Sequence, residues 1–202
     1  KLVAPGMASR QSVSDPKVLV VVVGDGAVGK SAITIRTLFD KFETHYDPTI
    51  QDNYNRQMTI DDREVFLEVL DTAGQEDYPG MKEQYQKDGQ AFVVVFSLTS
   101  QQSFKHIEEI HEEILRVRCV DKVPLILVGN KSDLESEREV MNVDAKALAN
   151  KWGAPYFETS ALTGSNCTEV FHEAVRRYWS SIPPAPEPEP VPKPWYHKCT
   201  IL

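Results

Sequence analysis

The 202-residue sequence has no run of eighteen apolar residues, which excludes a segment able to cross a bilayer unaided. Residues 1–15 have no apolar core of the kind a secretory leader needs. Cysteine is scarce. Cys119, Cys167 and Cys199 are far apart and odd in number, and no CxxC or Cys/His cluster suggests zinc. A reduced, cytosolic protein is therefore expected. A basic excess is missing as well. With 22 Lys and Arg against 30 Asp and Glu, the net charge of -8 argues against general nucleic-acid binding. An anionic ligand held in one local pocket remains compatible with it. No internal repeat is present.

What the chain does contain suits one compact domain with tails. Lys1 opens it and Met7 follows Gly6, so residues 1–6 read as a cloning remnant within an N-terminal extension over 1–16. The apolar runs KVLVVVV (17–23), AFVVVF (91–96) and LILV (125–128) predict strands covered on both faces. Phe104, Ile107, Ile110, Ile114 and Leu115 recur at helical spacing. So do Val170, Phe171, Ala174, Val175, Tyr178 and Trp179. Residues 54–60 and 65–70, parted by a polar turn containing Asp61, Asp62 and Arg63, predict a hairpin and hence one antiparallel strand. Strands alternating with helices otherwise give a doubly wound α/β domain over 17–182. From 183 to 202 the composition turns to Pro and Glu, predicting an extended tail.

The strongest chemical signal is GDGAVGKS, residues 24–31, directly after the first apolar run. GxxxxGK followed by Ser or Thr, between a strand and a helix, is a phosphate-binding loop. Its glycines turn successive N–H groups inward around phosphate oxygens, and the helix N-terminus adds positive partial charge. Lys30 is expected to reach the β- and γ-phosphates, and the Ser31 hydroxyl to sit on Mg²⁺. Gly24, Asp25, Gly26, Ala27, Val28, Gly29 and Ala32 complete the expected phosphate-side set.

GNKSD, residues 129–133, follows the LILV strand at the carboxyl edge where α/β sheets bind ligands. Asp133 can accept from both N1–H and the exocyclic amine of guanine, a donor pair adenine lacks. Asn130 can support the same edge, and the Lys131 stem can lie along its face. TSA, residues 159–161, can offer a backbone N–H to the guanine carbonyl, which brings in Ser160 and Ala161. Alone, NKSD is as well read as an ordinary polar turn; paired with the phosphate loop it favours guanine over adenine. An ATP-dependent P-loop kinase is disfavoured for the same reason.

DTAGQE, residues 71–76, directly follows the second run of the hairpin, 65–70. Asp71 at a strand end suits a water-mediated Mg²⁺ contact. Gly74 gives N–H access to a γ-phosphate, and Gln75 can orient a water because it both donates and accepts. In YDPTIQD, residues 46–52, Thr49 can coordinate Mg²⁺ through its hydroxyl when its loop closes.

These segments, in this order and over about 17–182, resemble a small GTPase of the Ras superfamily. YDPTIQDNY, DTAGQEDYPGMKEQY and NKSD are most similar to the Ras subfamily. Rho proteins usually carry TKxD and an extra helical insert, and Rab proteins usually end in paired cysteines. The resemblance implies a P-loop NTPase G domain with a six-stranded sheet, mostly parallel, helices on both faces, and a monomer. It implies that Phe42 packs on the guanine base and that Leu162 stands where the family often has lysine. Residues 46–54, with Tyr46, Pro48 and Thr49, correspond to switch I, and 71–84 to switch II. Gly26 stands where any side chain crowds an incoming arginine finger. Ala27 replaces a glycine common in Ras proteins, a change the family accepts. Gln51 stands where an effector-loop glutamate is usual, which should weaken pairing with basic effector surfaces.

The activity so implied is slow hydrolysis of GTP to GDP and phosphate, with Gln75, Lys30, Thr49 and Gly74 as its catalytic set. No arginine in the phosphate loop or switch II is an obvious finger in cis; Arg36 and Arg56 read as structural or exposed. Expected partners are a GTPase-activating protein supplying that arginine, a guanine-nucleotide exchange factor, and effectors with Ras-binding-type domains. The rivals are a nucleotide-locked binding module, set apart by loss of Gln75, Thr49 or Gly26, all three retained here, and a trafficking GTPase, separable by its partners.

Cys199-Thr200-Ile201-Leu202 matches a CaaX box, and a terminal Leu favours geranylgeranylation at Cys199 by a prenyltransferase. No second cysteine is near, and Lys193 and Lys198 are offset by Glu187 and Glu189. A single lipid predicts weak, extractable attachment to the cytoplasmic face of a membrane, the plasma membrane being expected, beside a cytosolic pool. The proline run would act as a semi-rigid spacer of roughly 35–40 Å.

Overall fold

The computed structural model describes residues 17–42, 51–72 and 79–183. They form a six-stranded sheet ordered β2-β3-β1-β4-β5-β6. The strands are β1 (Lys17–Gly24), β2 (Gln51–Ile60), β3 (Arg63–Thr72), β4 (Ala91–Ser97), β5 (Leu125–Asn130) and β6 (Tyr156–Glu158). The helices are α1 (Lys30–Phe39), α2 (Pro79–Asp88), α3 (Gln101–Arg118), α4 (Asn142–Trp152) and α5 (Cys167–Ser181). β2 pairs antiparallel with β3 and every other pairing is parallel. The doubly wound α/β architecture and the antiparallel hairpin expected from the sequence are both present. None of the described helices is long and apolar enough to cross a membrane.

The continuous apolar strands arise because the sheet is covered on both sides. Val18, Val20 and Val22 of β1 join Ala91, Val93 and Val95 of β4 under α1 and α5, with Ile33, Phe171 and Val175. Val21 and Val23 join Phe92, Val94 and Phe96 on the other face, under Ile107, Ile110 and Ile114 of α3 and Leu148 of α4. Each such side chain taken fully from water contributes about 1.5–3 kcal/mol, so neither face tolerates a polar residue at these positions. The hairpin turn is tighter than the sequence suggested. Asp61 (φ 50°) and Asp62 (φ 62°) make it alone, and Arg63 already belongs to β3. Two left-handed residues match the right-handed twist of the paired strands.

This winding brings the ends of β1, β3 and β5 to one edge of the sheet. The loops that follow carry the sequence motifs, and α1 starts there with its N-terminus toward the same edge.

Candidate functional site

Residues 24–29 link β1 to α1 in a loop that only glycine can close at two points. Gly24 (φ 149°) lies against β4, where a Cβ would overlap the Val95 carbonyl. Gly29 (φ 95°, ψ 32°) is the N-cap of α1, and a Cβ there would overlap the Asn130 amide nitrogen. Gly26 differs, since a Cβ on it would meet nothing within 4 Å. Asp25 Oδ1 accepts from the Gly26 N–H at 2.7 Å.

Lys30, in the first turn of α1, is buried. Its ammonium donates to the Gly24 carbonyl at 3.0 Å and the Asp25 carbonyl at 2.8 Å, placing the charge on the loop floor. Burial brings its pKa down to about 8, against the pull of Asp71 and Asp25. Asp71, near the end of β3, is fully buried, and burial pushes its pKa up to about 6. The Ser31 hydroxyl and the Lys30 ammonium hold it down, while Asp52 raises it. Ser31 is close enough to act on the carboxylate, yet neither Asp71 oxygen has a hydrogen bond of normal geometry among the described residues.

The two groups are perturbed in complementary senses. A buried ammonium short of negative charge and a buried carboxylate short of positive charge suit an anion and a hard cation bound together. Oxygen ligands such as the Asp71 carboxylate and the Ser31 hydroxyl are what Mg²⁺ takes, along with phosphate oxygens. These residues fit the cation expected from the sequence.

The base-side motif follows β5, two strands over from β1. Asn130 closes β5 and is 2% exposed. Its Nδ2 donates to the Val28 carbonyl of the phosphate loop at 2.9 Å. Its Oδ1 accepts from the Thr159 hydroxyl at 3.1 Å. Asn130 therefore ties two loops that are 102 residues apart in the chain. Lys131 follows in the left-handed region, φ 69°, turning the chain so that Asp133 lies exposed beside the loop after β6. There the Ser160 hydroxyl donates to Asp133 Oδ1 at 2.5 Å, and Ser160 Oγ accepts from the Thr163 N–H at 3.1 Å. Ala161 is buried. Phe42 and Leu162 present exposed apolar surface, Leu162 at 53% exposure.

The structure thus gathers the phosphate-side set from Gly24 to Ala32, Asp71, Asn130, Lys131, Asp133, Ser160 and Ala161 at the carboxyl edge of the sheet. Tyr46, Pro48, Thr49, Gly74, Gln75 and Cys199 lie outside the described residues. Thr159 is a residue the sequence reading passed over as a side chain. Its hydroxyl orients Asn130, a role no local pattern announces. Arg36 and Arg56 are occupied elsewhere, at the far end of α1. Arg36 pairs with Asp40, and Arg56 Nη1 donates to the Thr37 and Leu38 carbonyls.

The family model described as the Ras family matches residues 19–180. The match runs from β1 to the last turn of α5 and spans the phosphate-loop and NKSD motifs. The chain belongs to the Ras family, the small GTPases that bind guanine nucleotides.

Proposed function

We propose that this chain is a signalling switch that binds GTP, hydrolyses it slowly to GDP and phosphate, and signals through the difference between the two bound states. The observation that carries the reading is the buried bridge from Asn130 to Val28. Through it the loop suited to phosphate and the motif suited to guanine form one rigid unit, so a single ligand engages both.

In this reading Lys30 neutralises the β- and γ-phosphates from the floor of the loop. Ser31, Thr49 and Asp71, the last through water, hold Mg²⁺. When bound, the ion offsets charge on the phosphate oxygens. Asp133, fixed by Ser160, reads the guanine edge, and Phe42 covers the ring. Gln75 orients the attacking water. Thr49 and Gly74 bind a γ-phosphate only while it exists, so its loss releases both switch loops and the effectors they hold. With Arg36 and Arg56 engaged away from the loop, a GTPase-activating protein supplies the missing arginine, worth about 10³–10⁵ in rate. An exchange factor reloads GTP, effectors with Ras-binding-type domains read the GTP form, and prenylated Cys199 places the switch at the cytoplasmic face of a membrane.

Replacing Asp133 by Asn tests the base assignment, because the amide donates where guanine also donates. Nucleotide competition should show preference moving from guanosine toward xanthosine diphosphate. Full GDP affinity in Asp133→Asn would sink the assignment.

A further inference from the structure

A loop built to hold phosphate here carries a carboxylate of its own, Asp25. One of its oxygens is taken by the Gly26 N–H at 2.7 Å. Its main-chain carbonyl accepts from the Lys30 ammonium at 2.8 Å, so any shift of Asp25 is felt at the phosphate-binding lysine. The other carboxylate oxygen faces α3, where His106 Nδ1 lies 3.7 Å away. Both side chains are about one-third exposed, at 31% and 30%.

An uncompensated carboxylate in this loop opposes an anionic ligand. His106 is the described group placed to compensate it from outside the loop. Histidine is the side chain whose charge ordinarily changes between pH 5 and 8. Among the described residues, the other charge facing the imidazole is Glu109 on its own helix, 3.9 Å from Nε2. The elements packed on α3 add little. β4 has no titratable residue, and the one on β1, Lys17, is paired with Glu68. On α2, Lys82 pairs with Glu113, and on α4, Lys151 pairs with Glu108, both elsewhere along α3. The imidazole therefore faces two carboxylates, one of them part of the phosphate loop.

We propose that His106 is a positioning residue for the phosphate loop: protonated, it neutralises Asp25 and strengthens the hold on bound nucleotide, so that nucleotide release slows as pH falls. The proposal rests on the reading of residues 24–31 as a nucleotide-phosphate site. The sign follows from linkage. A bound polyphosphate favours the imidazolium, and by reciprocity the imidazolium favours the bound polyphosphate. Lys30 titrates in the same sense, with its pKa brought down to about 8 by burial. The pH dependence of wild type alone therefore does not isolate His106; the difference between variants does.

The test measures release of a fluorescent GDP analogue at fixed free Mg²⁺, at pH 6.0, 7.0 and 8.0, from wild type and from His106→Gln, His106→Lys and Asp25→Asn. For a partly exposed pair, protonation of His106 should slow release about two- to fivefold. His106→Gln should lose that part of the pH dependence and release faster than wild type at pH 6.0. His106→Lys, charged throughout, should release more slowly than His106→Gln at all three values, with only the Lys30 part of the pH dependence left. Asp25→Asn should flatten the profile as His106→Gln does. A His106→Gln profile parallel to that of wild type overturns the proposal while leaving the nucleotide reading intact. Failure of wild type to bind the analogue at all overturns the nucleotide reading, and this proposal with it.

Discussion

Gly29 offers the sharpest test of how the phosphate loop is built. Its backbone sits at φ 95° and ψ 32°, and a Cβ would overlap the Asn130 amide nitrogen. In Gly29→Ala, the left-handed conformation costs about 1–2 kcal/mol for a residue with a side chain. Asn130 must also move, which breaks its 2.9 Å bond to the Val28 carbonyl and strains its 3.1 Å bond to Thr159. Leaving such buried groups unpaired costs about 1–3 kcal/mol. The expected loss of stability is about 3 kcal/mol, read as a lower urea midpoint for the nucleotide-free protein. Because Asn130 is displaced from the base side as well, GDP affinity should fall at least about tenfold, equivalent to 1.4 kcal/mol. Gly26→Ala is the matched control. Its Cβ meets nothing within 4 Å, so stability and GDP affinity should stay within about 0.5 kcal/mol of wild type. Only stimulation by an activating partner should suffer there. A Gly29→Ala protein with wild-type midpoint and GDP affinity would refute the argument.

Two further substitutions test other parts of the account. Gln86 on α2 is 1% exposed, and neither its Nε2 nor its Oε1 has a hydrogen-bond partner among the described residues. Gln86→Met should therefore stabilise the fold by about 1–3 kcal/mol, seen as a higher melting temperature; a lower one would mean the amide has a partner. Glu158 on β6 accepts from Arg138 at 2.8 and 3.1 Å, from Asn142 at 2.7 Å and from the Tyr156 hydroxyl at 3.0 Å. Burial raises its pKa, but these bonds outweigh burial and hold it below the usual glutamate value of 4.5. A depressed carboxylate stabilises the fold above the unfolded-state pKa and loses that contribution as pH falls through the folded value. Glu158→Gln should thus cost about 1–2 kcal/mol at pH 7, and less as the pH drops below 4.5. Urea midpoints at pH 7.0 and 3.5 measure this, and a cost that does not shrink would contradict the sign.

Much of the fold was legible because β-branched apolar runs and helical spacing report burial directly. Val20 to Val23 and Phe92 to Phe96 have no polar residue to place, so both faces of those strands must be covered. α2 and α4 were not read. PGMKEQYQKD carries too few apolar residues for a stripe. In NVDAKALANKW, Ala145, Leu148, Ala149 and Trp152 do recur at helical spacing, but three of the eleven residues are small alanines and Val143 lies off the stripe, exposed, which blurs the contrast. At the site, the glycine pattern and the NKSD motif announced which residues converge because they are local in sequence. The Asn130–Val28 bridge, the Thr159 hydroxyl behind it and the His106–Asp25 pair were not announced. Each joins segments whose proximity is set only by strand order, and a lone Thr or a half-buried His carries no local signature of its partner.

Slow hydrolysis of guanine nucleotide is decided by single-turnover measurement with γ-labelled GTP loaded on wild type and Gln75→Leu, with ATP as control. Wild type should release phosphate slowly and be accelerated by an arginine-bearing activating partner. Gln75→Leu should lose nearly all of both rates with GTP still bound, and neither protein should load ATP. Equal hydrolysis by wild type and Gln75→Leu, or ATP loaded as well as GTP, would contradict the proposed function.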